Sequence, residues 1–87
     1  MLGLFAAQAP QTLDWLRTAA TPKSWRDAAH TLKGSARAVG AWQVATAAEK
    51  AETLGFSELE ARRDATAVLA AALDVVAAYI ATLSDRN

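Results

Sequence analysis

The stretch that decides the fold is residues 21–40, TPKSWRDAAHTLKGSARAVG. Thr21 is a good N-cap, Pro22 suits the first helical position, and Gly40 is typical of the residue just beyond a helix C-terminus. The pattern therefore predicts a helix over residues 22–39. At about 100° per residue, its apolar residues share one stripe, which predicts the buried face. That stripe consists of Trp25, Ala28, Ala29, Leu32, Ala36 and Val39.

Helix breakers divide the rest of the chain into three more helical segments. The first covers about residues 2–20 and is interrupted at Pro10, which either opens a fresh helix or kinks a longer one. The third covers about residues 41–54 and ends at Gly55. Its predicted inner face is Val44, Ala45, Ala48, Ala51 and Leu54.

The fourth segment begins at a capping box, in which Ser57 is the cap and Glu60 reaches back to it. It continues to about residue 84. Its predicted buried seam is Leu69, Leu73 or Ala72, Val76, Ile80 or Tyr79, and Leu83. Because the connections are short, the helices should pack as antiparallel neighbours. We expect one all-α domain over residues 1–87, an up-down-up-down four-helix bundle with a short or kinked N-terminal segment.

Composition limits the classes of partner. The formal net charge is +0, so bulk attraction to nucleic acid is not expected. We see no apolar stretch as long as a membrane span, and therefore expect no membrane association. The chain has no cysteine, which fits a reducing cytoplasm. With one histidine and no cysteine, a transition-metal site is not expected either.

His30 is the only histidine, and it falls about 200° around the helix from Leu32, so it should point to solvent. Gly34, one turn further on, removes a side chain beside it. Glycine inside a helix costs roughly 0.5–1 kcal/mol relative to alanine, which calls for an explanation in an alanine-rich chain. Cations share this outward face: Lys23, Arg26, Lys33 and Arg37. A neutral imidazole among cations, with open space beside it, favours uptake of a phosphoryl group.

The run His30-Thr31-Leu32-Lys33-Gly34-Ser35, followed by Gly40, resembles the histidine-containing phosphotransfer (HPt) domains of bacterial multistep phosphorelays. Those domains share the pattern His-x-x-Lys-Gly and a glycine that closes the helix. They are four-helix bundles of similar length, so the resemblance covers nearly the whole chain. The family often has an apolar-Ala-Pro stretch in the first helix, which the similar Gln8-Ala9-Pro10 matches at its last two residues, and a tryptophan like Trp25 before the motif.

The resemblance implies specific roles. His30 would accept a phosphoryl group from an aspartyl-phosphate of a response-regulator receiver domain and pass it to another receiver. Lys33 would steady that group, and Gly34 would leave the ring accessible. A polar side chain of the next helix would orient the imidazole, with Glu49 and Glu52 as candidates where the family often has glutamine. Lys23, Arg26 and Arg37 are candidate partner contacts.

The resemblance also implies what the chain lacks. It would have no kinase activity and no cofactor of its own, because the Mg²⁺ belongs to the receiver domain. Receivers and a hybrid histidine kinase would be the partners, and such domains are commonly monomeric and cytoplasmic. Two alternatives remain open. The chain could be an HPt-like domain of a larger histidine kinase, phosphorylated by an ATP-binding domain, or a non-catalytic helical module that binds receiver or kinase domains.

Overall fold

The computed structural model describes residues 2–56 and 58–85, with side chains described for residues 4–56 and 58–83. Four helices follow one another: α1 (Leu2–Arg17), α2 (Pro22–Ala38), α3 (Trp42–Leu54) and α4 (Leu59–Asp85). Each helix packs against its neighbours in sequence, and α1 also packs against α4, which closes the bundle. The predicted all-α four-helix bundle is confirmed. The expected cap Ser57 lies outside the described residues.

Of the two outcomes predicted at Pro10, a fresh helix and a kink in a longer one, the fresh helix is wrong. α1 runs as a single helix through Pro10 and ends at Arg17, three residues earlier than expected. Its buried residues continue at helical spacing on both sides of the proline: Phe5, Ala9, Leu13 and Leu16. Pro10 itself is exposed. Packing of one continuous apolar face therefore outweighs the hydrogen bond that proline removes.

The capping signals of α2 act as the sequence predicts. The hydroxyl of Thr21 accepts a hydrogen bond from the backbone N–H of Ser24 at 3.1 Å. At the other end Gly40 has φ +75, a conformation that glycine adopts without a Cβ penalty. The N–H of Gly40 donates to the carbonyl of Arg37, and that of Ala41 donates to Ala36. These two bonds form a Schellman motif, which fixes the turn into α3.

The core lies on the predicted faces of α2 and α3, with two differences. Val39 is only half-buried, and Leu54 is exposed. On α3, Ala47 was not predicted to be buried, but it lies in the core alongside Ala45 and Ala48. These alanines allow α3 to approach its neighbours closely, because a methyl group keeps the helix axes near each other. Leu54 lies in the last turn of α3, where the chain turns away from the core towards Gly55.

The seam of α4 is only partly buried. Leu69 is fully buried, whereas Leu73, Val76, Ile80 and Leu83 are half-buried. The alternative seam residue Tyr79 is exposed. At about 1.5 Å per residue, a helix of 27 residues is about twice as long as α3 with its 13. The C-terminal part of α4 therefore lacks α3 as a packing partner.

The expectation that no apolar stretch reaches membrane-span length is also wrong. The 25 residues Leu59–Leu83 of α4 are long and apolar enough to cross a bilayer by length and composition alone. Alanine and valine supply most of that apolar character. In the structure this helix packs against α1 and α3, and 17% of its most apolar stretch is buried.

Trp25 connects α2 to α3 and should contribute strongly to stability. Its side chain is 1% exposed, and its indole N–H donates to the carbonyl of Ala51 at 2.9 Å. We expect Trp25→Phe to lower the free energy of unfolding by about 1–3 kcal/mol, through the lost hydrogen bond and a small cavity. Urea denaturation followed by circular dichroism measures this change.

Trp42 provides the matched control for that substitution. It is 64% exposed, so Trp42→Phe should change the free energy of unfolding by less than about 0.5 kcal/mol. Equal losses for the two variants would contradict the assignment of Trp25 as a connection between helices.

Candidate functional site

His30 lies in the middle of α2, on the surface edge shared with α3. Its side chain is 69% exposed, as the helical pattern predicts. The neighbouring residues Ala29 and Leu32 are fully buried and hold this part of α2 against the core. The backbone under the imidazole is therefore held by packing, while the ring itself faces solvent.

Glu52 of α3 contacts the ring. Its Oε2 atom lies 3.1 Å from Nδ1 of His30. Its other oxygen, Oε1, accepts a hydrogen bond from the ammonium of Lys33 at 2.5 Å. Of the two glutamates considered from sequence, Glu52 lies against the imidazole. Glu49 pairs instead with Arg37, at 3.6 Å.

The charge of Glu52 is stabilised by these contacts. The hydrogen bond from Lys33 is the main cause that holds the pKa of Glu52 below its ordinary value. Partial burial acts in the opposite direction, and the charge of Lys33 and the contact with His30 lower the pKa further. The carboxylate is thus ionised at neutral pH and acts only as a hydrogen-bond acceptor.

An ionised Glu52 determines which ring nitrogen of His30 carries the proton. A carboxylate can only accept a hydrogen bond, so the favoured neutral tautomer has its proton on Nδ1. The lone pair then resides on Nε2, at the other side of the ring. An exposed imidazole with a free Nε2 lone pair has the form of a nucleophile.

Lys33 is less outward than the helical wheel predicts. Its side chain is 15% exposed, because it folds against α3 to reach Glu52. A helical wheel gives the direction of Cβ and cannot show where a long side chain ends.

The cations near His30 are also more fully paired than sequence reasoning expected. Lys23 bonds to Asp27 at 2.6 Å, and Arg37 pairs with Glu49 across the helix interface. The hydrogen bond from Lys23 is the main cause that lowers the pKa of Asp27. Sequence reasoning passed over Asp27, although its i,i+4 spacing from Lys23 was a usable signal.

Gly34 lies open on the surface beside His30. A Cβ built on this residue would meet nothing within 4 Å. Close packing between helices therefore does not explain the glycine, since no neighbouring helix approaches it. Its effect is to leave empty space one turn from the imidazole.

Within residues 2–56 and 58–85, no group of three or more His, Cys, Asp or Glu side chains is placed to hold a metal ion. Lys23, Lys33 and Arg37 are engaged in ion pairs, and Arg26 is exposed.

The structure is thus a helical bundle with one exposed histidine whose Nδ1 contacts a carboxylate of the next helix. The family model of the Hpt domain matches residues 1–85, and the chain belongs to this family. Comparison with curated proteins and with solved structures found no significant match. Hpt domains act in phosphorelay, or two-component, signalling as phosphotransfer intermediates without catalytic activity of their own. They interact with receiver domains and kinases, and are generally soluble and cytoplasmic.

The lowered pKa of Glu52 predicts a pH-dependent contribution to stability. A carboxyl whose folded pKa lies below its unfolded value, here 4.5, stabilises the fold above that value. The contribution is lost as pH falls through the folded pKa. We expect the difference in unfolding free energy between wild type and Glu52→Gln to be largest above pH 4.5 and to disappear in more acidic solution. Urea titrations across this range measure it, and a difference independent of pH would contradict the assignment.

Proposed function

We propose that this domain carries a phosphoryl group on Nε2 of His30 between receiver domains. The Nε2 lone pair attacks the phosphorus of an aspartyl-phosphate, the P–O bond breaks, and the aspartate leaves as a carboxylate. In the second step an aspartate of another receiver attacks the same phosphorus, and the N–P bond breaks. Any Mg²⁺ required belongs to the receiver.

One observation supports this proposal above the others: the imidazole is 69% exposed while Glu52 engages its Nδ1 edge. An exposed surface histidine has no fixed ring orientation unless a partner holds it. Here the backbone is held by the buried face of α2, and the ring is held by α3. Such preorganisation favours in-line attack, because less orientational freedom is lost at the moment of transfer.

Lys33 and Gly34 have complementary proposed roles. The ammonium of Lys33 is the cation already within the His30–Glu52 cluster, and it would stabilise charge on the phosphoryl oxygens. Gly34 would allow the receiver surface to come close to the ring, since nothing stands above its Cα.

Lys23, Arg26 and Arg37 would form a contact surface for the receiver. Lys23 and Arg37 have largely exposed side chains and pair with exposed or half-buried carboxylates. Surface ion pairs of this kind contribute little, typically about 0–1 kcal/mol, so a partner's carboxylate can replace either one at small cost. These contacts would speed docking and choose the partner more than they would add affinity.

Phosphotransfer profiling tests the proposal and separates the alternatives. The protein is mixed with each phosphorylated receiver of its organism, and with a histidine-kinase catalytic domain plus ATP. We expect labelling by one or a few receivers, followed by transfer to another receiver. Labelling by the kinase domain alone would instead assign the chain to a larger kinase. Binding without any label would assign it to the non-catalytic modules.

A further inference from the structure

Two apolar seams run along α4. The inner seam faces the core, and its members are buried or half-buried: Leu69, Leu73, Val76, Ile80 and Leu83. The outer seam consists of the residue just before each of these: Val68, Ala72, Val75, Tyr79 and Thr82. One residue corresponds to about 100° around a helix, so the outer seam lies on a separate face. All of its members except the half-buried Ala72 are exposed.

The outer seam has the spacing of a contact between helices. Its members are separated by four, three, four and three residues, the heptad spacing that keeps one face of a helix against another helix. The seam is also uncharged. Asp74 is the only charged residue between Ala65 and Leu83, and it lies about 120° around α4 from the centre of the seam. An exposed apolar stripe with this spacing fits the surface of a second helix.

Trp42 of α3 widens this apolar face. Its side chain lies beside two grooves, one of 490 Å³ that includes Val75 and Tyr79 and one of 320 Å³ that includes Val68. Trp42 is at the start of α3, and Glu52 of the functional site lies ten residues, or about 15 Å, further along that helix. The face is thus set apart from that site. We call it the outer α4 surface, and its members are Trp42, Val68, Ala72, Val75, Tyr79 and Thr82.

We propose that a second copy of this chain covers the outer α4 surface, in a two-fold symmetric dimer with the two α4 helices antiparallel. A two-fold axis midway between Ala72 and Val75 brings Ala72 of one copy to Val75 of the other. The same axis brings Val68 of one copy to Tyr79 of the other, so a smaller side chain meets a larger one at each level. The formal net charge of +0 leaves no long-range repulsion between copies. Such a dimer departs from the monomer that the family resemblance implies.

The area of the outer α4 surface suits a reversible dimer. Trp42 is 64% exposed and Tyr79 is 59% exposed. An aromatic side chain can bury about 150–250 Å², so these two offer about 200–300 Å² per copy. The valines and smaller residues of the seam bring the area to roughly 500 Å² per copy, or about 1,000 Å² for both. Specific interfaces begin near that total, so we expect a dissociation constant of about 10–100 µM.

A lipid surface fits this helix less well than a second copy does. Helices that lie on membranes typically carry lysine or arginine on their polar face, where they attract anionic lipids. Between Ala65 and Leu83, α4 has no cation, and its one charged residue, Asp74, is an anion. The long apolar stretch of α4 is therefore assigned to contact between proteins.

Sedimentation velocity over a range of concentrations tests the proposal. For wild type at about 5–500 µM, we expect the sedimentation coefficient to rise from that of a monomer to that of a dimer. Val75→Asp places like charges close together at the two-fold axis, and should raise the dissociation constant at least about tenfold. Trp42→Ala, on the other helix of the surface, should raise it at least about threefold. Both residues are exposed, so each variant should keep the circular dichroism spectrum of wild type.

Ala77→Asp is the matched control. It adds the same charge to an exposed residue of α4 that lies about 200° around the helix from Val75. Its dissociation constant should stay within about twofold of wild type. Wild type that stays monomeric at the highest concentration would overturn the proposal, as would equal dissociation constants for wild type, Val75→Asp and Trp42→Ala. Flotation of wild type with vesicles of phosphatidylcholine and phosphatidylglycerol, lost in Val75→Asp, would assign the surface to lipid and overturn it too.

Discussion

Replacing His30 with glutamine should abolish phosphoryl uptake from every receiver that labels the wild-type protein. We expect a loss of more than about a hundredfold, because the substitution removes the nucleophile and covalent transfer has no substitute at this site. His30 is the only histidine of the chain, so no second imidazole can take over. Phosphotransfer from a labelled receiver, followed by gel autoradiography, measures the effect.

The fold should survive that substitution. The ring is mostly exposed and contributes no core contact, so the free energy of unfolding should change by less than about 0.5 kcal/mol. Receiver binding should also persist, since the contact surface of Lys23, Arg26 and Arg37 is intact. Equal labelling of wild type and His30→Gln would place the phosphoryl group elsewhere and end the proposal.

Replacing Gly34 with glutamine should separate transfer from stability. The new side chain meets nothing within the bundle, and a helix-favouring residue replaces glycine. We therefore expect stability to rise by roughly 0.5 kcal/mol. Phosphotransfer from the receiver should fall at least about tenfold, because the side chain occupies the approach to His30 and displaces the partner's reacting atoms from attack geometry. Paired urea melts and transfer rates measure the two effects.

Ala38→Gln is the control for that experiment. It adds the same side chain to an exposed residue one turn further along α2. Transfer should stay within about twofold of wild type. Small-donor phosphorylation of Gly34→Gln should also stay near normal, because phosphoramidate needs little space. If Gly34→Gln transfers at the normal rate, steric access is not the reason for the glycine.

The sequence predicted the parts of this site that depend on local chemistry. Thr21, Pro22 and Gly40 determine where α2 begins and ends, because capping involves only neighbouring backbone groups. The 3.6-residue period then places His30 outward and Leu32 inward. At Pro10 the same local reasoning left two outcomes open, and packing along α1 keeps a single helix through the proline.

Which side chains meet between helices could be established only from the tertiary structure. Glu49 and Glu52 were both candidates from sequence, and helical periodicity alone does not fix how α3 is rotated and shifted against α2. Packing of the small buried residues of α3 sets both, and it brings Glu52 to His30 and Glu49 to Arg37. The pairing of Lys33 also depends on this register, because its long side chain ends on the neighbouring helix.

The sequence by itself determined that this chain forms helices, where α2 starts and stops, and that its one histidine faces solvent. These outcomes follow from hydrogen bonds and side-chain directions within a single helix. The tertiary structure decided which carboxylate holds the imidazole, which cations are neutralised, and how much of α4 is covered. Those outcomes depend on distances between separate helices, which are set by the packing of the whole core.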